Sequence, residues 1–249
     1  MGQFNGKGAV VTGGTRGIGR GIVERLAAEG ATVLFNYARS AEAAADVERA
    51  AAGGAAGGKA YGVRIDLARQ GAAGELMAAA DEVLDGLDIL VNNAAAEFAP
   101  TPLADTDEEL YDTVMTVNAR STFLTMRHAA RTMRDNGRII NISTLNTTRP
   151  APGNAPYVAS KGAVEQLTKV AAVELGPRGI TVNAVCPGAT DTDLLRGTNP
   201  ADALEQVVRI TPLGRLGQPD DIAAVVAMLA GPDGRWLTGQ IIHATGGIG

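Results

Sequence analysis

The chain has 249 residues, 45% of them hydrophobic and only 4% aromatic, so it can build a substantial core, which must rest on Ala, Val, Leu and Ile. A net charge of −5 argues against a nucleic-acid footprint, which needs a clustered positive surface. The single cysteine, Cys186, excludes an intramolecular disulfide and a multi-Cys metal site, and His128 and His243 lie too far apart in sequence to suggest a zinc pair, so no metal is expected. No apolar run reaches the length of roughly 18 residues that a membrane helix needs. The N-terminus also lacks a basic region followed by an apolar stretch, and the expectation is a soluble cytoplasmic protein without membrane contact.

Strand-like and helix-like segments alternate from end to end. Gly8-Ala-Val-Val-Thr12 reads as a buried strand, and Gly17 to Glu29 as a helix with Ile18, Ile22, Val23 and Leu26 on one face. Thr32 to Asn36 is the next strand; Ser40 can cap the following helix, with Glu42 in its first turn and Gly53 to Gly58 breaking it. A third strand covers Ala60 to Ile65, a helix covers roughly 72–84, and Asp88 to Val91 is a fourth strand. One long helix is expected over roughly 107–134, capped by Thr106 or Asp107, followed by a fifth strand, Arg138 to Ile142. Pro156 opens the next helix, as proline does in a first turn. Ile180 to Val185 is a sixth strand. Residues 188–218 are rich in Gly, Pro, Thr and Asp and read as a loop region with one short helix near 201–209. A helix over Asp220 to Ala230 and a strand over Gln240 to His243 complete the chain. The strands are apolar without clean alternation, which fits a parallel sheet covered on both faces. The expected fold is a single α/β domain over residues 1–249: a doubly wound, Rossmann-type parallel sheet of about seven strands in a three-layer sandwich.

Two motifs carry chemistry. Gly13, Gly17 and Gly19 form a Gly-x-x-x-Gly-x-Gly turn between the first strand and the first helix, with Thr15, Arg16 and Ile18 among them. Glycines there let the backbone approach a pyrophosphate, and the helix N-terminus offers free N–H groups and a positive dipole end. Farther on, Tyr157-Val-Ala-Ser-Lys161 puts a phenol and an ammonium on one face of a helix. A nearby Lys⁺ favours the phenolate, so this pair can deliver a proton to a developing alkoxide. A glycine-rich turn or a helical Tyr–Lys pair alone is weak evidence; the two together indicate a redox enzyme.

With those motifs the chain resembles the short-chain dehydrogenase/reductase family over nearly its whole length. The resemblance rests on the glycine turn, Asp66 after the third strand, Asn92-Asn-Ala after the fourth, Asn118, the Tyr157/Lys161 pair and Pro187-Gly188. The ending Thr238 to Gly247 is most similar to the 3-oxoacyl-carrier-protein reductases. The resemblance implies roles at matching positions. Asp66 and the Leu67 N–H would meet the adenine, and Asn93, Ala94 and Ala95 would line the adenosine side. Pro187, Gly188, Thr190 and Thr192 would cover the nicotinamide and pyrophosphate, and Lys161 would also hold the ribose. Asn118 would hold a water leading from Lys161 to solvent. The family's usual serine falls thirteen residues before the Tyr, where Thr144 stands, with Ser143 one residue earlier; spacing favours Thr144 and leaves Ser143 open. The family's Asn-Asn-Ala-Gly is Asn92-Asn-Ala-Ala95 here, and the added Cβ narrows space near the cofactor.

The end of the second strand selects the cofactor. An acidic residue there would bind a ribose 2′-OH, but Tyr37 occupies the place, with Arg16 in the turn and Arg39 just beyond. Two guanidinium groups suit a 2′-phosphate, so NADP(H) is the expected cofactor. The substrate wall is expected from 95–101, 145–156 and 188–205, carrying Glu97, Phe98, Leu145, Asn146, Arg149, Asn154, Leu194, Leu195 and Arg196. A carrier-linked substrate needs a basic docking surface; of the two basic positions in related reductases, Arg178 is present and Asp135 replaces the other. Three functions remain open: an NADPH-dependent reductase of a small-molecule ketone, β-keto or polyketide-like, free or carrier-linked; an alcohol or sugar dehydrogenase running the other way; and a non-catalytic dinucleotide-binding sensor. The resemblance further implies a homotetramer pairing through the helices at 107–134 and 156–176 and the last strand.

Overall fold

The computed structural model describes residues 2–54 and 56–249. Seven parallel strands form one sheet: β1 Gly8–Val11, β2 Thr32–Tyr37, β3 Lys59–Arg64, β4 Ile89–Asn92, β5 Arg138–Ile142, β6 Thr181–Pro187 and β7 Ile241–Ala244. Their spatial order is β3-β2-β1-β4-β5-β6-β7. The chain winds outward from β1 through β2 to β3, then returns to the other side of β1 and winds outward again to β7. The two halves part between β1 and β4, which pair directly with Val11 beside Val91. A crevice at the carboxyl ends of the strands at such a reversal is where open α/β sheets bind ligands.

Successive strand residues face opposite cores, and both are apolar. Ala9, Val11, Val33, Phe35, Ile89, Val91, Ile140 and Ile142 pack with Ile22, Val23 and Leu26 of α1 (Gly17–Ala28). Val47 of α2 (Ala41–Ala52) and Ile222 and Val226 of α9 (Pro219–Ala230) complete that layer. On the other face Val10, Leu34, Leu90, Ile139 and Val182 pack against Leu76 and Met77 of α3 (Ala72–Val83). Met126 of α5 (Ser121–Thr132) and Leu175 of α6 (Ala155–Leu175) join them. Each such fully buried aliphatic side chain contributes roughly 1.5–3 kcal/mol relative to exposure. The expected three-layer sandwich is therefore the one observed, and its low aromatic content follows from helices packed closely on short branched side chains.

The caps act as the sequence indicates in two places. Ser40 Oγ accepts from the Ala43 N–H at 3.1 Å at the start of α2. Asp107 Oδ1, rather than Thr106, accepts from the Leu110 N–H at 2.7 Å at the start of α4 (Glu108–Met115). The single helix expected over 107–134 is instead two, α4 and α5, joined by a π-helical turn over Thr116–Arg120. The region 188–218 holds two helices, α7 (Asp193–Thr198) and α8 (Ala201–Ile210), where one was expected. No helix among the described residues is long and apolar enough to cross a membrane.

Candidate active site

The glycine turn leaves β1 at its carboxyl end and is stitched to three other strand ends. Thr12 Oγ1 accepts from the backbone N–H groups of Asn93 and Ala94, at 2.8 and 2.9 Å. Asn93 Nδ2 donates back to the carbonyls of Thr12 and Gly13, at 2.9 and 3.1 Å. Asn36, buried at the end of β2, accepts from the Gly13 N–H at 3.0 Å and donates to the Ile65 carbonyl at 2.8 Å. Thr12 and Asn36 were not singled out from sequence; a polar residue closing an apolar strand is the only signal either gives.

Within the turn, Gly13 and Gly17 have φ of +69° and +52°, where a Cβ is strained. A Cβ on Gly19 would lie 2.1 Å from the Gly13 carbonyl oxygen and 2.4 Å from Asn93 Nδ2. Arg16 is the N-cap of α1 and makes no side-chain cap bond, so the first-turn N–H groups are not satisfied by their own cap. This hollow of bare backbone, ending on a helix N-terminus, fits a dinucleotide pyrophosphate. Thr192, from the segment after β6, reaches the same turn: a Cβ on Gly17 would stand 3.0 Å from its methyl. Gly188 and Thr190 fix that segment, through Gly188 N–H to the Ala244 carbonyl at 2.9 Å and Thr190 Oγ1 to the Gly188 carbonyl at 3.1 Å. Ile18 and Tyr37 are partly buried against the neighbouring core. Beyond β3, Asp66 is exposed and accepts from the Ala68 N–H at 3.0 Å, and Leu67 is buried beside it.

The two arginines meet at one carboxylate. Arg39 Nη1 donates to Glu97 Oε2 at 2.9 Å, and Arg16 Nη2 donates to Glu97 Oε1. Arg16 and then Arg39 hold the Glu97 carboxyl below its ordinary pKa. Glu97, expected in the substrate wall, is drawn to these two arginines. Its neighbour Phe98 turns the other way and stacks on Tyr157, with ring centroids 5.1 Å apart and planes 23° apart.

At the carboxyl end of β5 the adjacent hydroxyls diverge, as strand geometry requires. Ser143 Oγ donates to Glu165 Oε1 on α6 at 2.7 Å, whereas Thr144 Oγ1 accepts from the Asn146 N–H at 3.3 Å and lies on the Tyr157 side, where its hydroxyl favours the phenolate. Lys161 is buried and donates from Nζ to the Ile142 carbonyl at 2.8 Å; its Nζ lies 5.9 Å from the Tyr157 ring centroid. Burial pulls the Lys161 pKa from 10.5 to about 8. A Tyr157 pKa lowered by Lys161 was expected, but in this structure burial pushes the phenol upward, and the Thr144 hydroxyl only partly opposes it. The reason is geometric: the ammonium is committed to a carbonyl, and the phenol lies under an aromatic ring.

Asn118 sits in the π-helical turn, buried, with its side-chain hydrogen bonds directed to Ala96 and Ser160. Its Oδ1 accepts from the Ala96 N–H at 2.8 Å, and its Nδ2 donates to Ser160 Oγ at 2.9 Å. Ser160 Oγ in turn donates to the Tyr157 carbonyl at 2.7 Å. Asn118 therefore ties the loop after β4 to the helical turn carrying the Tyr. Cys186 lies behind the site near Glu165, and burial first, then that carboxylate, push its thiol up to about 12; it is no nucleophile at neutral pH. Arg178 is bound to Asp135 at 2.8 Å and to the Ala130 carbonyl at 2.8 Å. Arg196 pairs with Asp191 at 2.6 Å. Among the described residues no cluster of three His, Cys, Asp or Glu side chains could hold a metal ion. A hollow of about 540 Å³ lined by Asn5, Lys59, Tyr61 and Asp85 opens at the opposite, amino-terminal edge of the strands.

Known proteins resemble this chain in sequence and fold. A family profile described as enoyl-(acyl carrier protein) reductase matches residues 13–249. An uncharacterized oxidoreductase of Methylorubrum extorquens is 42% identical over the full length of both chains. A hydroxynaphthalene reductase-like protein of Metarhizium majus is 37% identical, covering 97% of this chain and 94% of its own. The crystal structure of the angucycline C-6 ketoreductase LanV with bound NADP superposes with a TM-score of 0.90 at 39% identity, covering 99% of this chain and 96% of that one. With a seven-stranded doubly wound sheet, a glycine turn at its reversal and full-length relatives of this kind, the chain belongs to the short-chain dehydrogenase/reductase family of oxidoreductases.

Proposed function

We propose that this protein is an NADPH-dependent ketone reductase in which Tyr157 gives its proton to the carbonyl oxygen. The observation that carries the reading is the convergence at the end of β5 of Thr144, whose hydroxyl favours the Tyr157 phenolate, and Lys161, whose Nζ stands 5.9 Å from the Tyr157 ring centroid. A nicotinamide held in the glycine-turn crevice would supply the hydride. Thr144 holds the carbonyl oxygen within reach of the phenol, and the phenol proton passes to that oxygen as negative charge develops on it. Loss of that proton leaves a phenolate, which Lys161 stabilises by swinging its ammonium from the Ile142 carbonyl toward Tyr157. The positions Gly13 to Gly19, Asp66, Leu67, Asn93 to Ala95 and Pro187 to Thr192 hold the dinucleotide, and Arg16 and Arg39 face its 2′-phosphate. The NADP-bound ketoreductase supports that choice of cofactor.

A cyclic or polyketide-like ketone is the substrate class we favour. The chain's likeness to a hydroxynaphthalene reductase-like protein and to an angucycline C-6 ketoreductase supports it, as does the flat apolar face that Phe98 lays beside Tyr157. A carrier-linked substrate draws no support from Arg178, whose guanidinium is spent on Asp135 and a carbonyl. The whole chain would act as one dinucleotide-binding domain, assembled as a homotetramer. Val173 at 81% and Trp236 at 94% exposure support burial against other copies; a monomeric sedimentation mass would overturn the assembly.

Loss of NADPH absorbance is the test, with simple β-keto esters, acetoacetyl thioesters, cyclic diketones and aromatic polyketide mimics, and NADH run in parallel. Turnover with NADPH is expected, and Tyr157→Phe should abolish it while NADPH still binds. Thr144→Val should lower kcat/KM by about 100-fold, and Ser143→Ala by less than about tenfold. A Tyr157→Phe protein that keeps its turnover refutes the mechanism. Silence of the parent protein across the panel with NADPH bound favours the sensor.

A further inference from the structure

We propose that Glu97 is a cofactor-selecting latch: its carboxylate occupies the place between Arg16 and Arg39 that a 2′-phosphate must take. This inference rests on the reading that the two arginines face that phosphate. Arg16 caps α1 inside the glycine turn, and Arg39 lies two residues beyond β2. They come from different strand ends and are brought to one point by a carboxylate from a third, the loop after β4. All three side chains are substantially exposed, Glu97 at 40% and Arg39 at 81%, so an arriving ligand can reach them without opening the core.

Two anions cannot share the two guanidinium groups at contact distance, because like charges there repel strongly. A dinucleotide with a 2′-phosphate therefore binds only after Glu97 leaves. A dinucleotide with a free 2′-hydroxyl needs no such displacement, and its hydroxyl can donate to the carboxylate. Glu97 thus weakens NADPH selectively and narrows the preference that Arg16 and Arg39 create. The loop gives the exchange a second consequence. Ala96 is held by Asn118, and Phe98 covers Tyr157, so Glu97 leaves from a segment pinned on both sides of it. The exchange is therefore a swing of the exposed Glu97 side chain about a fixed backbone, which leaves Phe98 on Tyr157.

The test is calorimetric titration of the cofactor-free protein with NADPH and with NADH, for the parent chain, Glu97→Gln, Arg16→Ala and Arg39→Ala. Exposed ion pairs are individually weak, so removing two should tighten NADPH by about five- to tenfold. NADH should bind Glu97→Gln as before or more weakly, and the melting temperature without cofactor should stay unchanged. Glu97→Gln that leaves NADPH affinity unaltered, weakens it, or tightens both cofactors alike overturns the latch. The arginine variants separate the two ideas. If neither changes the ratio of NADPH to NADH affinity, the assignment of the 2′-phosphate fails and the latch with it. If both lower the ratio while Glu97→Gln does not raise it, the latch alone fails.

Discussion

Lys161 shows what the site costs the fold. It is 3% exposed and, among the described residues, its one side-chain hydrogen bond is to the Ile142 carbonyl and no carboxylate pairs with it, so its charge is desolvated, and its pKa falls from 10.5 to about 8. A depressed pKa on a basic group means that the unfolded chain binds more protons than the folded one between about pH 8 and 10.5. Stability therefore rises with pH through that window, and below it the full penalty of burying the cation is present. Lys161→Met removes the penalty and sacrifices one hydrogen bond. The expected result at pH 7 is a cofactor-free protein more stable by about 1–2 kcal/mol, melting about 3–6 °C higher, with no turnover. The advantage should shrink as melts are repeated from pH 8 toward pH 10. A variant that melts lower than the parent at pH 7 would show that the ammonium is stabilised by something other than its carbonyl. Removing a strained functional group commonly stabilises a fold at the expense of its activity.

At the scale of elements, the strand ends matter more than the strands. Asn36 closes β2, and its amide joins the glycine turn after β1 to the residue after β3. Asn36→Ala leaves a backbone N–H and a carbonyl without these partners, which should cost about 2–3 kcal/mol and weaken NADPH binding by loosening the turn. Denaturant melts and a cofactor titration check both effects; an unaltered affinity would mean that the glycines and Thr12 hold the turn unaided. The periodic apolar faces of α1 and α9 and the apolar strands were legible because burial alone shapes them. The π-helical turn over Thr116–Arg120 was not, since its apolar pattern continues across it. It arises where Asn118 reaches Ala96 and Ser160, and where Thr122 Oγ1 donates to the Asn118 carbonyl at 2.8 Å. α7 was missed because six residues between a Pro-Gly pair and Asn199-Pro200 carry too short a pattern. Its cap is visible only in space, where Thr192 Oγ1 accepts from the Leu195 N–H at 3.3 Å. The pairing of Glu97 with Arg16 and Arg39 was hidden for another reason: its partners lie 81 and 58 residues away in sequence.

Across the whole molecule, a chain of buried amides and hydroxyls runs through one core layer. Thr125 of α5 donates to Asn92 of β4 at 2.6 Å, Asn92 to Asn141 of β5 at 2.8 Å, and Asn141 to Thr168 of α6 at 2.8 Å. Asn92 and Asn141 stand directly opposite in the β4–β5 register, so the pairing forms only if that register is right. A slip of either strand by one residue would turn that strand's amide into the opposite, apolar layer and leave its partner unpaired. Two strands and two helices that carry Asn118, Thr144, Tyr157 and Lys161 on or near their ends are thereby fixed to one another. Buried groups satisfied in this way act as a unit, and breaking one bond strands the next partner. Asn141→Ala should cost about 2–4 kcal/mol, and Asn92→Ala a similar amount. The double variant should cost less than the sum by about 1 kcal/mol or more, because the second deletion removes a group the first had already orphaned. Melts of the four proteins measure that coupling directly. Strict additivity would mean that the two asparagines serve their strands separately and that apolar packing alone sets the register.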